Sequence, residues 1–210
     1  MDFFDSSSAE NATFTNYGSA IRDAYATHVA FHDSAAAANA TFTNYGGTAN
    51  HTSGGTVSFY GQSSAGNATI SNNAGAVLRA SGSYTYFYQT ATAGNAIRIA
   101  NGGVGKGGNI FFSGTPDGAT ARIEVFGNGR LDVSGCDPGL TTGSLEGDGV
   151  VFLGSRNLTL GSNNLSTTFS GRISGTRGTL TKAGTGTLIF YGANAYTGGT
   201  TVSGGYLLIK

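Results

Sequence analysis

Hydrophobic and polar residues alternate over short stretches of this chain, and Gly, Asn and Ser separate the stretches. Alternation with a period of two predicts half-buried β-strands of about five residues. Three stretches of this kind are HVAFH (28–32), TVSFY (56–60) and YTYFY (84–88), each with Phe at the fourth position. Helical periodicity is sustained nowhere. The pattern therefore predicts an all-β chain.

The same pattern returns at a fixed spacing of 28 residues. One Phe and one Asn mark each repeat, at Phe3, Phe31, Phe59 and Phe87 and at Asn11, Asn39, Asn67 and Asn95. A fifth, shorter unit is predicted to begin at Phe111. A unit of two or three short strands cannot bury its apolar side alone, whereas stacked copies of the unit can. The repeat therefore predicts a β-solenoid.

Stacking gives the repeated residues specific positions. The second and fourth residues of each strand, Val or Thr and Phe, are predicted to point inward, like above like, and the four Asn residues are predicted to form a hydrogen-bonded ladder at a turn. One copy departs from this rule, because NAIRIA places Arg98 where Phe14, Phe42 and Ile70 occupy the core in the other copies. Either the strand register slips by one residue near Ile97–Ile99, which exchanges faces, or the alignment differs there.

The period shortens towards the C-terminus. Leu158, Leu180 and Val202 are 22 residues apart, which predicts coils of about 20–22 residues in this part. We expect one β-helix over residues 1–210, with a soft subdivision into 1–128, which carries the 28-residue repeats, and 129–210, which carries the shorter coils.

Composition and charge narrow the classes of partner. Glycine accounts for 36 of 210 residues, and 11 basic residues balance 11 acidic ones. A formal net charge of zero argues against a nucleic-acid partner, which a basic face would favour. The single Cys136 and three scattered His residues predict neither a disulfide nor a metal site, and no motif predicts a cofactor. No signal peptide is visible in residues 1–30.

The C-terminal segment GTLTKAGTGTLIFYGANAYTGGTTVSGGYLLI (178–209) closely resembles the autotransporter-associated β-strand repeat of bacterial autotransporter passenger domains. The match is carried by LTKxGxGTL (Leu180–Leu188), GANxYTGGTTV (Gly192–Val202) and GGxL (Gly204–Leu207), and it is looser over 143–175. The resemblance implies a right-handed parallel β-helix, here of about seven to nine coils, exported through a bacterial outer membrane to the cell surface or the extracellular space. It also implies that a translocating β-barrel belongs to the parent protein.

The acidic residues are the candidates for catalysis, because parallel β-helices also carry polysaccharide-active enzymes. Glycoside hydrolysis needs two carboxylates across the scissile bond. The acidic residues closest in sequence are Asp132, Asp137, Glu146 and Asp148, which Gly-rich segments of turn composition separate. Turn formation is the simpler interpretation, so we expect no enzyme and keep a polysaccharide-active enzyme as an alternative.

Aromatic residues on the predicted outer face of the Val/Phe strands form a second candidate site. The side chains expected there are His32, Tyr60, Tyr84, Tyr86 and Tyr88, together with His28, Thr56 and Ser58. Exposed aromatic faces suit stacking on sugars or docking of a partner, although tyrosine also favours strands for structural reasons alone. We expect a non-enzymatic structural or adhesive passenger segment, with binding of glycan or another surface component by this aromatic strip as the alternative.

Overall fold

The computed structural model describes all 210 residues and contains twenty-one β-strands and no α-helix. The strands of the first sheet are β1 Asp2–Phe3, β3 His28–Phe31, β5 Thr56–Phe59, β7 Tyr84–Gln89, β9 Asn109–Gly114, β11 Arg130–Cys136, β13 Val150–Phe152, β16 Arg172–Gly175 and β19 Ala195–Tyr196. The strands of the second sheet are β2 Thr13–Asn16, β4 Thr41–Asn44, β6 Thr69–Asn72, β8 Ile97–Ala100, β10 Gly118–Val125, β12 Gly139–Gly147, β14 Asn157–Leu160, β17 Thr179–Lys182 and β20 Thr200–Val202. A side branch of the second sheet consists of β15 Thr167–Phe169, β18 Thr187–Phe190 and β21 Tyr206–Ile209, and joins it at β12. No helix in the structure could cross a membrane.

Successive strands alternate between the two sheets through most of the chain, and every strand pair is parallel. This topology defines a parallel β-helix, so the predicted all-β solenoid class is confirmed. Its right-handedness and its subdivision at residue 128 stay predictions.

Strand registers give the offset from one coil to the next. Thr13 pairs with Thr41 and Thr41 pairs with Thr69, each 28 positions along the chain. The offset then decreases, because Tyr84 pairs with Asn109 and Asn157 with Thr179. Coils of different length therefore meet near residue 100.

The core is one cluster of 36 buried residues that extends from Ala9 to Phe190. The inward Phe ladder is confirmed, with stacked rings and centroid distances of 5.0 Å between Phe31 and Phe59 and 4.8 Å between Phe59 and Phe87. The fifth member was predicted wrongly. Phe112 continues the ladder at 4.7 Å from Phe87, whereas Phe111 pairs with Tyr86 and faces outward.

The Asn ladder at the turn is also confirmed. Each Nδ2 donates to the Oδ1 of the preceding coil, at 3.2 Å from Asn39 to Asn11, 3.0 Å from Asn67 to Asn39 and 3.1 Å from Asn95 to Asn67. A second ladder, which was not predicted, lies in the core at the ends of β2, β4 and β6. Its members are Asn16, Asn44 and Asn72, joined by two bonds of 2.8 Å.

The register does not slip at Arg98. Arg98 pairs with Ile70 on one side and Ile123 on the other, and its side chain is fully buried in the position that Phe42 occupies two coils earlier. Its Nη2 donates to the carbonyl of Ala93 at 2.8 Å. Nε and Nη1 are buried without a partner, and burial lowers the pKa of Arg98 to about 9.

Candidate functional site

Five side chains on the outer face of the first sheet form what we call the aromatic strip: His32, Tyr60, Tyr84, Tyr86 and Tyr88. Alternation along β5 and β7 turns these side chains outward while Phe59 and Phe87 turn inward. All five are half-buried. The structure therefore brings the predicted binding residues together, and binding by them stays a prediction.

The rings of the aromatic strip pack mainly against one another. Across coils, His32 stacks on Tyr60 and Tyr60 on Tyr88, both with centroids 5.1 Å apart. Along β7, Tyr86 stacks on Tyr84 at 5.3 Å and on Tyr88 at 5.5 Å. Stacking of this kind occupies ring faces and leaves mainly edges and hydroxyls towards solvent.

Two small residues beside these rings are covered. Ser58, predicted to face solvent, is 7% exposed, and Ala30 in the preceding coil is 3% exposed. Ser58 pairs in register with Tyr86, whose ring stacks on those of Tyr84 and Tyr88. The large rings thus shield the backbone of the sheet at this point.

The environment of Tyr86 favours the neutral phenol. Burial raises the pKa of Tyr86, and the neighbouring phenols of Tyr84 and Tyr88 raise it further. Tyr86 therefore keeps its proton into more alkaline solution than an exposed tyrosine does, and its hydroxyl is a potential hydrogen-bond donor at the centre of the strip.

A recess of about 500 Å³ opens at the Tyr84 end of the aromatic strip. Its lining residues are Tyr84, Lys106, Gly107, Asn109, Asn128 and Arg130. Tyr84, Asn109 and Arg130 are register partners on β7, β9 and β11, and the other residues come from the corners that precede β9 and β11. Sequence analysis missed this recess, since its members do not recur at a fixed spacing.

The four acidic residues considered for catalysis have separate partners. Asp132 bonds Arg130 on the first sheet, and Asp137 lies 3.0 Å from Arg156. On the second sheet, Glu146 bonds the Nε of Arg122 at 2.5 Å. Asp148 accepts the backbone N–H of Gly127 at 2.8 Å.

A charged triad on the second sheet was not predicted. Arg122 Nε lies 2.9 Å from Glu124 and 2.5 Å from Glu146, and the two glutamates are register partners on β10 and β12. Burial raises the pKa of Glu124, while the Arg122 charge opposes that rise. The Arg122 guanidinium thus compensates the negative charges of two carboxylates on neighbouring coils. Stabilisation of the stacked coils is a sufficient explanation for this cluster.

Groups of His, Cys, Asp and Glu that could hold a metal ion are absent. His28 and His32 both lie 3.6 Å from Asp2 through Nε2, at the N-terminal end of the first sheet. These contacts are partly exposed and connect adjacent coils.

The geometry defines a parallel β-helix with an aromatic surface. Residues 180–209 match the family model described as the passenger-associated-transport-repeat. The chain therefore carries an autotransporter passenger repeat, and the resemblance predicted over 178–209 is confirmed. No curated protein and no solved structure matches the chain.

Proposed function

We propose that this chain is a non-enzymatic structural and adhesive segment of an autotransporter passenger, displayed at the cell surface or released from it. The observation that carries the proposal is the passenger-associated-transport-repeat at 180–209, which continues the same stacked sheets as the rest of the chain. Repeats of this kind imply an exported protein.

The packing suits a spacer. Nine strands of the first sheet lie side by side, and at about 4.8 Å per strand they span roughly 40 Å. Side chains meet similar side chains on the next coil, as Phe31 meets Phe59 and Asn39 meets Asn67. Each coil therefore supports the next without a separate core, which is how repeat proteins extend in one dimension.

Incubation with a panel of plant, bacterial and animal polysaccharides tests the non-enzymatic part of the proposal. We expect no new reducing ends and no unsaturated products, with a known polysaccharide lyase as the positive control. Small-angle scattering of the same sample should give an elongated particle. Sustained turnover of any polysaccharide would overturn the proposal, and so would a compact particle.

A second candidate function is glycan binding by the aromatic strip, favoured by five neighbouring side chains that together present ring edges and polar groups to solvent. Glycan-array binding should be lost in a Tyr84→Ala, Tyr86→Ala double variant. Tyr206→Ala is the matched control, because Tyr206 is 69% exposed and lies outside the strip. Equal binding by both variants would remove this candidate.

A further inference from the structure

We propose that the recess beside Tyr84 binds an anionic sugar, a pyranose ring that carries a carboxylate or a sulfate group. The inference deepens the adhesive part of the proposed function and rests on it. The proposed site consists of the six lining residues described above. Tyr84 is the only one of them that also belongs to the aromatic strip.

The shape of the recess follows from three register partners on successive coils. The short Asn109 lies between the long side chains of Tyr84 and Arg130. Because neighbouring strands are about 4.8 Å apart, Tyr84 and Arg130 are separated by roughly 10 Å at the backbone. The Arg130 guanidinium lies 5.1 Å from the centre of the Phe152 ring on the next coil, so Tyr84 and the aliphatic part of Arg130 flank a gap wide enough for one sugar ring.

Charge selects the kind of sugar. Lys106 is exposed and forms no ion pair or side-chain hydrogen bond, and no acidic residue lines the recess. Arg130 is held through Nη2 by Asp132 at 2.5 Å, and the second oxygen of Asp132 accepts from Ser134. The carboxylate of Asp132 is therefore engaged away from the recess, and the Lys106 ammonium is left as an uncompensated positive charge.

The walls of the recess are fixed before any ligand arrives. The Lys106 backbone N–H donates to Ala80 at 2.9 Å, and its carbonyl accepts from Gly75 at 2.9 Å. Asn128 Nδ2 donates to the Gly105 carbonyl at 2.8 Å, which braces the same corner. A Cβ at Gly107 would lie 2.0 Å from the Asn128 carbonyl oxygen, so this position requires glycine. Preorganisation of this kind reduces the entropy lost on binding.

Tyr84 supplies the stacking surface. It is the terminal ring of the row along β7 and stacks on one aromatic neighbour, Tyr86. Its other face has no ring against it. Tyr86 and Tyr88, by contrast, each contact two or more rings, including Phe111. Asn109 contributes an acceptor, because its Nδ2 donates to Gly107 while no donor occupies its Oδ1.

Titration with three matched oligosaccharides tests the proposal: an oligogalacturonate as the carboxylated probe, a chondroitin sulfate oligosaccharide as the sulfated probe, and a neutral oligogalactoside. We expect binding of at least one anionic probe and none of the neutral probe. Raising the ionic strength from about 0.02 M to about 0.3 M should weaken binding, because the charges are exposed. Comparison of the two anionic arms identifies which charged group is preferred.

Variants assign the binding to the recess. Lys106→Gln should lower affinity by about three- to five-fold, the size of one exposed charge pair, and Tyr84→Ala by about three- to ten-fold, the size of one aromatic contact. The chain offers a matched control, since Lys210 Nζ lies 5.5 Å from the Tyr191 ring at the other end of the rod. Lys210→Gln and Tyr191→Ala should bind as the unaltered protein does.

Two results would overturn the inference while leaving the rod proposal intact. One is a failure to prefer the anionic probes, either as equal affinity for neutral and anionic probes or as no binding of any probe by folded protein. The other is unchanged affinity in Lys106→Gln. Circular dichroism confirms folding in each case. Turnover of a probe would instead count against the non-enzymatic rod itself.

Discussion

The guanidinium carbon of Arg98 lies 4.6 Å from the centre of the Phe87 ring, inside the core of the β-helix. Arg98 has one hydrogen bond, to Ala93, and two nitrogens without partners. No acidic group is paired with it. A buried charge of this kind is expected to cost more than a neutral side chain of similar volume.

Replacement of Arg98 by Met should therefore stabilise the protein. Met fills a similar volume next to Phe87 and leaves no unpartnered nitrogen, so we expect the free energy of unfolding to rise by about 1–4 kcal/mol. Urea denaturation measures the change. Arg22→Met is the control, because the Arg22 side chain is 72% exposed and its loss should leave stability nearly unchanged. A less stable Arg98→Met protein would mean that the contact with Phe87 outweighs the cost of burial.

The same residue predicts a dependence on pH. Burial lowers the pKa of Arg98 from its ordinary value to about 9, so the folded protein releases this proton at a lower pH than the unfolded chain does. Between the pKa of Arg98 in the folded protein and its higher pKa in the unfolded chain, the unfolded state binds more protons than the folded state. The contribution of Arg98 to stability therefore rises with pH in this range. The stability gap between Arg98→Met and the unaltered protein should be constant below about pH 8 and narrow as pH rises above about 9. Denaturation at a series of pH values measures this gap, and a constant gap up to about pH 10.5 would show that Arg98 stays charged.

The two Asn ladders should differ in their contribution to stability. Asn44 is fully buried and bonds both Asn16 and Asn72, so Asn44→Ala removes two buried hydrogen bonds and should cost about 2 kcal/mol, even though Asn16 and Asn72 each keep another partner. Asn39 is exposed and occupies the equivalent place in the outer ladder. Asn39→Ala should cost about 0.5–1 kcal/mol. Thermal and urea unfolding of the Asn44→Ala and Asn39→Ala variants measure the two losses of stability. Equal losses would contradict the assignment of the inner ladder to the core.

Removal of one whole coil should be tolerated. Deletion of residues 42–69 joins Thr41 to Ile70, so that the remainder of β6 pairs with β2 and β7 pairs with β3 in the same register, while all later strands keep their partners. The shortened protein should fold and lose about 4.8 Å of length in small-angle scattering. Deletion of residues 42–55 is the control, because it leaves the coils on the two sides of the junction out of register. Equal stability of the two deletions would contradict the stacking scheme.

Lys182 should hold the last coil in place. It is 1% exposed, and its Nζ donates to carbonyls that include that of Gly204 at 3.3 Å. Lys182→Met removes this donor but also removes a charge whose pKa burial lowers, so global stability should change by less than about 1 kcal/mol. Hydrogen exchange in Thr200–Val202 should nevertheless become faster. Lys210→Met should leave exchange unchanged, and unchanged exchange in Lys182→Met would refute this role.

Regular spacing explains which parts of this fold were predictable. Phe31 and Asn39 recur 28 residues later in the next coil, so their inward and ladder positions followed from the sequence. The inward position of Phe112 could not be predicted in this way. The coil offset decreases by three residues where Phe111 and Phe112 are adjacent, so repeat spacing does not distinguish the two. The inner ladder was visible as Asn16, Asn44 and Asn72, but an Asn at a strand end gives no sign of burial.

The candidate site was predictable only in part. Alternation along β7 predicted the outward direction of Tyr84, Tyr86 and Tyr88, since it needs only the period of two within one strand. The recess depends on Asn109 and Arg130 as well, and these residues come from coils of unequal length. Contacts between such coils follow from strand pairing that no repeat in the sequence specifies.

The two Asn ladders also have opposite directions. In the outer ladder each Nδ2 points to the preceding coil, from Asn67 to Asn39, whereas in the inner ladder Asn16 points to the following coil and Asn44 continues towards Asn72. Amide groups carry dipoles of about 3.5 D, and aligned amides add head to tail. The two columns therefore oppose one another along the long axis of the N-terminal coils, and their electric fields partly cancel.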